Sequence, residues 1–123
     1  MAFSFILDEH LRGPLFNTIC RHHVAGGLLL DVIRVGDIDE LPLGSLDPAI
    51  LQWCEQSGRL LVSMDYDTIP THVANHLAAG HHIPGVLLIR PGTSLRQIVT
   101  HLELISHAGT EAEYRDRIEF IPF

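Results

Sequence analysis

The chain has 123 residues, of which 46% are hydrophobic and 19% charged, and a formal net charge of −7 with histidine neutral. This composition describes one globular domain over residues 1–123, able to bury about two-thirds of its unfolded surface, and it excludes a disordered polar chain. The surplus negative charge repels phosphate backbones and so argues against a passive nucleic-acid-binding module, but not against an enzyme whose acids hold a hard cation. No apolar run approaches the ~20 residues of a membrane span, and no basic segment leads into a long apolar one at the N-terminus, so a cytoplasmic protein without a membrane partner is expected.

In chain order, Ser4 to Leu7 reads as a buried strand that runs into Asp8-Glu9. Gly13-Pro14 opens a helix to about His22, with Leu15, Phe16, Ile19 and Cys20 on its apolar face. Gly26-Gly27 breaks the chain before a second strand, Leu28 to Val35, and residues 36–46 are loop. Asp47-Pro48 reads as a helix start, a carboxylate N-cap followed by proline at the first helical position. Ile50, Leu51 and Cys54 supply that helix's apolar face, with Trp53 alongside, and Ser57-Gly58 ends it. Cys20 and Cys54 are both expected to be reduced core thiols.

Leu60 to Ser63 is the third strand and stops at Asp65 and Asp67, spaced i, i+2. A helix from about Pro70 to Ala79 buries Val73 and Leu77, with Gly80 as its stop. Pro84-Gly85 turns into the fourth strand, Val86 to Ile89, which ends at Arg90. Thr93 or Ser94 caps a long helix carrying Leu95, Ile98, Val99, Leu102 and Ile105 at helical spacing, closed by Ala108-Gly109. A short polar segment leads into the last strand, Ile118 to Ile121. Phe120, Pro122 and Phe123 are expected to finish that strand in the core, an interface being the other use for them.

Five apolar strands alternating with helices specify an α/β protein: a three-layer α/β/α arrangement with a mostly parallel, about five-stranded sheet. Right-handed crossovers place all strand carboxyl ends on one edge, where open α/β sheets bind ligands. Asp8, Asp65, Asp67 and Arg90 sit at such ends, and Asp47 opens a helix from the same edge. Clustered carboxylates raise one another's pKa unless a cation neutralises them, and Mg²⁺ or Mn²⁺ held by two or three carboxylates plus waters is the common resolution. Such a site supports in-line phosphodiester hydrolysis, with Arg90 either holding a substrate phosphate or pairing with Asp65 or Asp67. The alternative reading of the same acids is that Asp47 serves only as an N-cap and that Asp65 and Asp67 only cap the next helix.

Leu7-Asp8-Glu9-His10, Asp47-Pro48-Ala49-Ile50-Leu51, the run Gly58-Arg59-Leu60-Leu61-Val62-Ser63-Met64-Asp65-Tyr66-Asp67, and Pro84-Gly85-Val86-Leu87-Leu88-Ile89-Arg90 together resemble the compact PIN-like family of small prokaryotic proteins, over about residues 3–121. Ser63 stands where that family usually has Thr, and Thr68 where it usually has Phe. The resemblance implies a PIN-like fold and a metal-dependent ribonuclease, with Mg²⁺ or Mn²⁺ at Asp8, Asp47, Asp65 and Asp67. It also implies an RNA substrate and, as for many relatives that are toxins, an antitoxin protein as partner.

Three other readings use the same residues. A catalytically inactive PIN-like module would bind an antitoxin or form a homodimer. A phosphoacceptor receiver domain would use Asp8-Glu9 as paired acids and Asp65 as acceptor, but it should carry Ser or Thr where Arg90 follows strand four, and Lys where Ile121 precedes Pro122. Finally, His72 and His76 are spaced i, i+4 and could face one transition metal, with His22-His23 and His81-His82 as loop-proximal pairs. A solvated helix face is the expected role of the helical pair, and His10 is the one histidine expected near the acidic edge.

Overall fold

The computed structural model describes residues 3–27 and 29–123. Five strands, β1 (Ser4–Leu7), β2 (Asp31–Arg34), β3 (Leu60–Ser63), β4 (Val86–Ile89) and β5 (Ile118–Ile121), form one sheet in the order β2-β1-β3-β4-β5. Every pairing is parallel. β3 and β4 are buried at all four positions, as expected of strands covered on both faces, which is why they read as unbroken apolar runs.

Alternate residues serve two separate cores. Phe5, Leu7, Leu60, Val62, Leu87 and Ile89 face α1 (Pro14–Val24) and α4 (Leu95–Ala108). Ile6, Leu61, Val86 and Leu88 face α2 (Asp47–Ser57) and α3 (Ile69–Ala78). The result is three layers. Among the described residues no helix is long and apolar enough to cross a membrane.

Local chemistry sets the element ends. Gly58 closes α2 at φ 77°, a left-handed conformation that glycine adopts without a Cβ penalty, and its amide donates to the Cys54 carbonyl at 2.9 Å. Ser94 starts α4 with a reciprocal capping box to Gln97.

Several expectations are corrected. β2 covers only Asp31–Arg34, because its ladder to β1 is four residues long; Leu29 is exposed, and Leu28 lies outside the described residues. Asp47 is not the N-cap of α2: Leu46 holds that position, and Asp47 lies in the first turn, where the positive end of the helix favours a carboxylate. The polar segment before β5 contains a short helix, α5 (Glu111–Tyr114), started by a Thr110–Glu113 capping box and anchored by buried Tyr114. Ile121 takes the core position of β5, so Phe120 is 37% and Phe123 64% exposed rather than internal.

Cys20 is exposed while Cys54 is buried. Leu15 and Ile19 hold the inward stripe of α1, and the next residue is rotated by ~100° away from it. Burial pushes the Cys54 thiol up to about 12, against the opposing charge of Arg59. A thiol reagent at mildly alkaline pH should therefore modify one equivalent rapidly and the second only in denaturant, with Cys20→Ser removing the fast phase. Two fast equivalents would contradict the burial of Cys54.

Candidate metal centre

Strand order decides where the acids meet. With the order β2-β1-β3-β4-β5, the winding direction reverses between β1 and β3, and the crevice above that switch point is where such sheets bind ligands. Asp8 follows β1 directly and Asp65 lies two residues beyond β3.

Asp8 is nearly buried, at 7% exposure. Its Oδ1 accepts the Glu9 amide at 2.7 Å and its Oδ2 accepts the Ser63 hydroxyl at 2.8 Å. The Ser63 oxygen in turn accepts the Asp65 amide at 3.0 Å. Fully buried Ser63 thus ties the end of β1 to the loop beyond β3, a role that sequence reasoning missed. Its signal was a hydroxyl at the last position of an otherwise apolar strand. Glu9 turns away instead: its carboxylate accepts the Gly44 amide at 2.6 Å in the 36–46 loop.

Asp65 Oδ1 accepts the amides of Asp67 and Thr68, each at 3.0 Å, and so caps the turn into α3. The Thr68 hydroxyl contacts two carboxylates, Asp65 Oδ2 and, at 3.0 Å, Asp47 Oδ2. A hydroxyl has one proton and can donate to only one of them. Two carboxylates converging on a single donor is an arrangement that an added cation relieves. His72 Nε2 lies 3.7 Å from Asp47 Oδ2 on the other side.

The Thr68 hydroxyl, followed by the amides of Thr68 and Asp67 and the charge of His10, holds Asp65 below the usual carboxylate range despite partial burial. Asp65 is therefore ionised at neutral pH. Because the shift is downward, its stabilising contribution is present above the unfolded value of 3.8 and is lost as pH falls through the lower folded value. Asp37, held down by its Arg34 hydrogen bond, and Asp116, held down by the Ile83 amide, act in the same direction. Unfolding free energy measured by urea titration should fall as pH drops below about 4. Carbon-13 titration should give Asp65 a midpoint below 3.8, and Thr68→Val should move it upward. An unmoved midpoint would remove Thr68 as the cause.

The remaining predicted residues are placed less centrally. Asp67 is exposed, and its carboxylate makes no hydrogen bond or ion pair among the described residues. Arg90 leans toward the end of β5: Nε donates to the Pro122 carbonyl at 2.8 Å, and the guanidinium lies 5.2 Å from the Phe120 ring centre. Phe120 stacks on Tyr66 at 5.9 Å with the rings 6° from parallel.

No protein-family model, curated protein or solved structure matches this chain.

Among the described residues, Asp8, Asp47, Asp65 and Asp67 do not bring three ligand atoms within 4.8 Å of one another; Glu55, His76 and His81, on the opposite edge of the sheet, do. The acidic edge is instead an Asp47–Thr68–Asp65 cluster with Asp8 behind it through Ser63. That donor set is all oxygen and anionic. It fits Mg²⁺ or Mn²⁺, hard ions of which Mg²⁺ keeps several waters and needs only one or two carboxylates.

Proposed function

We propose that this chain is a metal-dependent ribonuclease of the PIN-like type, with its site at the acidic switch point of the sheet. The observation that carries the reading is the meeting of Asp47 and Asp65 on one Thr68 hydroxyl, beside buried Asp8. Asp47 and Asp65 would hold Mg²⁺ or Mn²⁺, Asp8 deepens the negative field from below, and Asp67 can join from its exposed position. A bound divalent ion supplies an activated water and neutralises charge on a phosphodiester in displacement.

The chain's own groups do the rest. Arg90 uses only its Nε internally, and its terminal nitrogens, without hydrogen bonds among the described residues, can hold a substrate phosphate. The exposed Phe120 face, backed by Tyr66, offers a stacking surface for an unpaired base, an interaction of about 1–3 kcal/mol per base. His10 and His72 flank the carboxylates, His72 Nε2 at 3.7 Å from Asp47 Oδ2. RNA as substrate, an antitoxin protein as partner and a toxin role come from the PIN-like resemblance, and two free thiols fit a reducing, cytoplasmic setting.

The strand order favours a second reading, because receiver domains share it, with the acceptor at the position of Asp65. Against it stand Glu9, committed to Gly44, and Arg90 and Ile121 at positions where a receiver needs a hydroxyl and a lysine. The readings separate in parallel assays. Mn²⁺-dependent cleavage of single-stranded RNA by wild type, lost in Asp8→Asn/Asp65→Asn, supports the nuclease. A phosphoryl group acquired at Asp65 from acetyl phosphate, without cleavage, overturns it in favour of the receiver. Neither activity leaves the inactive module.

A further inference from the structure

At the amino edge of the sheet, away from the acidic crevice, a second set of ligand atoms converges. α2 and α3 run side by side from one edge to the other, so His72 meets Asp47 near the start of α2 while His76 meets Glu55 near its end. The i, i+4 histidines therefore do not share a partner. Instead Glu55 Oε1 lies 2.9 Å from His76 Nε2 and 3.4 Å from His81 Nδ1, on the loop that leads into β4. The two imidazole rings stack, 4.9 Å between centres and 25° from parallel.

We propose that Glu55, His76 and His81 form a transition-metal site of the Zn²⁺ class, with a fourth position left to water. Two imidazoles and one carboxylate make a borderline donor set that suits Zn²⁺ better than Mg²⁺ or Ca²⁺, and three protein ligands with an open position is a known zinc arrangement. Bonds of about 2.0–2.1 Å to a tetrahedral ion put ligand atoms roughly 3.3–3.4 Å apart. The Glu55–His81 pair already has that spacing at 3.4 Å, and the Glu55–His76 pair, at 2.9 Å, must open by only a few tenths of an ångström.

The ligands are held in place by their surroundings, as metal ligands are. Glu55 Oε2 accepts the His82 amide at 3.2 Å. Asp116 ties the two residues after His81: His82 Nδ1 lies 2.8 Å from its Oδ2, and the Ile83 amide donates to its Oδ1 at 2.9 Å. The His76 side chain is only 8% exposed. The His82 amide, with His76 and His81 beside it, keeps Glu55 below the usual carboxylate range, so it is available as an anionic ligand. His76 Nε2 also lies 3.1 Å from the His82 carbonyl; in the metal-free chain a proton on Nε2 serves Glu55 and that carbonyl, and metal binding displaces it. A cleft of about 490 Å³, whose walls include Glu55, His82 and Arg115, adjoins the cluster on its Glu55 side.

Cobalt(II) titration of the untagged full chain tests the site, because four-coordinate Co²⁺ gives an intense visible ligand-field spectrum that Zn²⁺ abolishes by displacement. One equivalent should bind. His81→Gln, at an exposed loop position that keeps the fold, should weaken binding at least about 10-fold, as should His76→Gln. Asp8→Asn/Asp65→Asn should leave the spectrum unchanged, which also keeps this site independent of the nuclease reading. Absence of a four-coordinate spectrum, or one unaffected by His81→Gln, overturns the proposal. A spectrum lost in Asp8→Asn/Asp65→Asn but kept in His81→Gln does the same, by moving the ion to the other edge.

Discussion

Asparagine at positions 8 and 65 together is expected to abolish the Mn²⁺-induced rise in melting temperature and to reduce RNA cleavage at least about 100-fold, the upper end of what loss of even outer-shell metal partners costs. The substitution keeps each side chain's size and a carbonyl oxygen able to accept the Ser63 hydroxyl and the amides of Asp67 and Thr68. What it removes is charge, together with the Asp8 oxygen that accepts the Glu9 amide. At a metal concentration about 100 times Kd, wild type should gain about 2.7 kcal/mol, or of order 10 °C in Tm for a chain of this size. The metal-induced shift is the quantity to compare, since losing two negative charges changes the metal-free protein as well. An equal shift in the double variant would sink the site. Asp67→Asn should reduce the shift least, because that carboxylate has no partner holding it toward the cluster among the described residues.

Leu61→Ala should destabilise the protein by about 3–5 kcal/mol, a large share of the 5–15 kcal/mol typical of a domain. Leu61 is fully buried on the central strand, in the core shared with Ile50, Leu51, Ile69 and Val73. β3 is hydrogen-bonded on both sides, to β1 and β4, so the backbone has little freedom to collapse into the void. Leu104→Ala removes the same atoms from a position on α4 that is 53% exposed and should change stability by less than about 0.5 kcal/mol. Urea titration of both variants provides the check. Similar losses at the two positions would mean that burial is not what stabilises this sheet.

Much of the architecture was legible because periodicity is a local property. Four-residue aliphatic runs such as Leu60–Ser63 and Val86–Ile89 are doubly buried strands, and their alternation with helices forces parallel pairing through crossovers. Caps were legible where one residue's chemistry suffices, as for Gly58 and Ser94. Asp47 shows the limit of that logic. Its carboxylate was available to cap its own helix, yet it is turned toward Thr68, a partner 21 residues away that no local rule could name. Cys20 shows another: an apolar pattern marks the inward stripe of a helix only to within one residue, and Ile19 took the position.

The sequence by itself determined that acids would stand at strand ends on one edge of a parallel sheet, because crossover geometry allows no other placement. Tertiary structure alone decided which of them meet. Placing β1 beside β3 brought Asp8 to Ser63, and packing α2 along α3 brought Asp47 and Asp65 to one hydroxyl. The same packing split His72 from His76 and gave the second to Glu55 and His81. Spacing within a helix fixes which of its residues share a face; what that face meets depends on the whole chain's packing, which no single segment encodes.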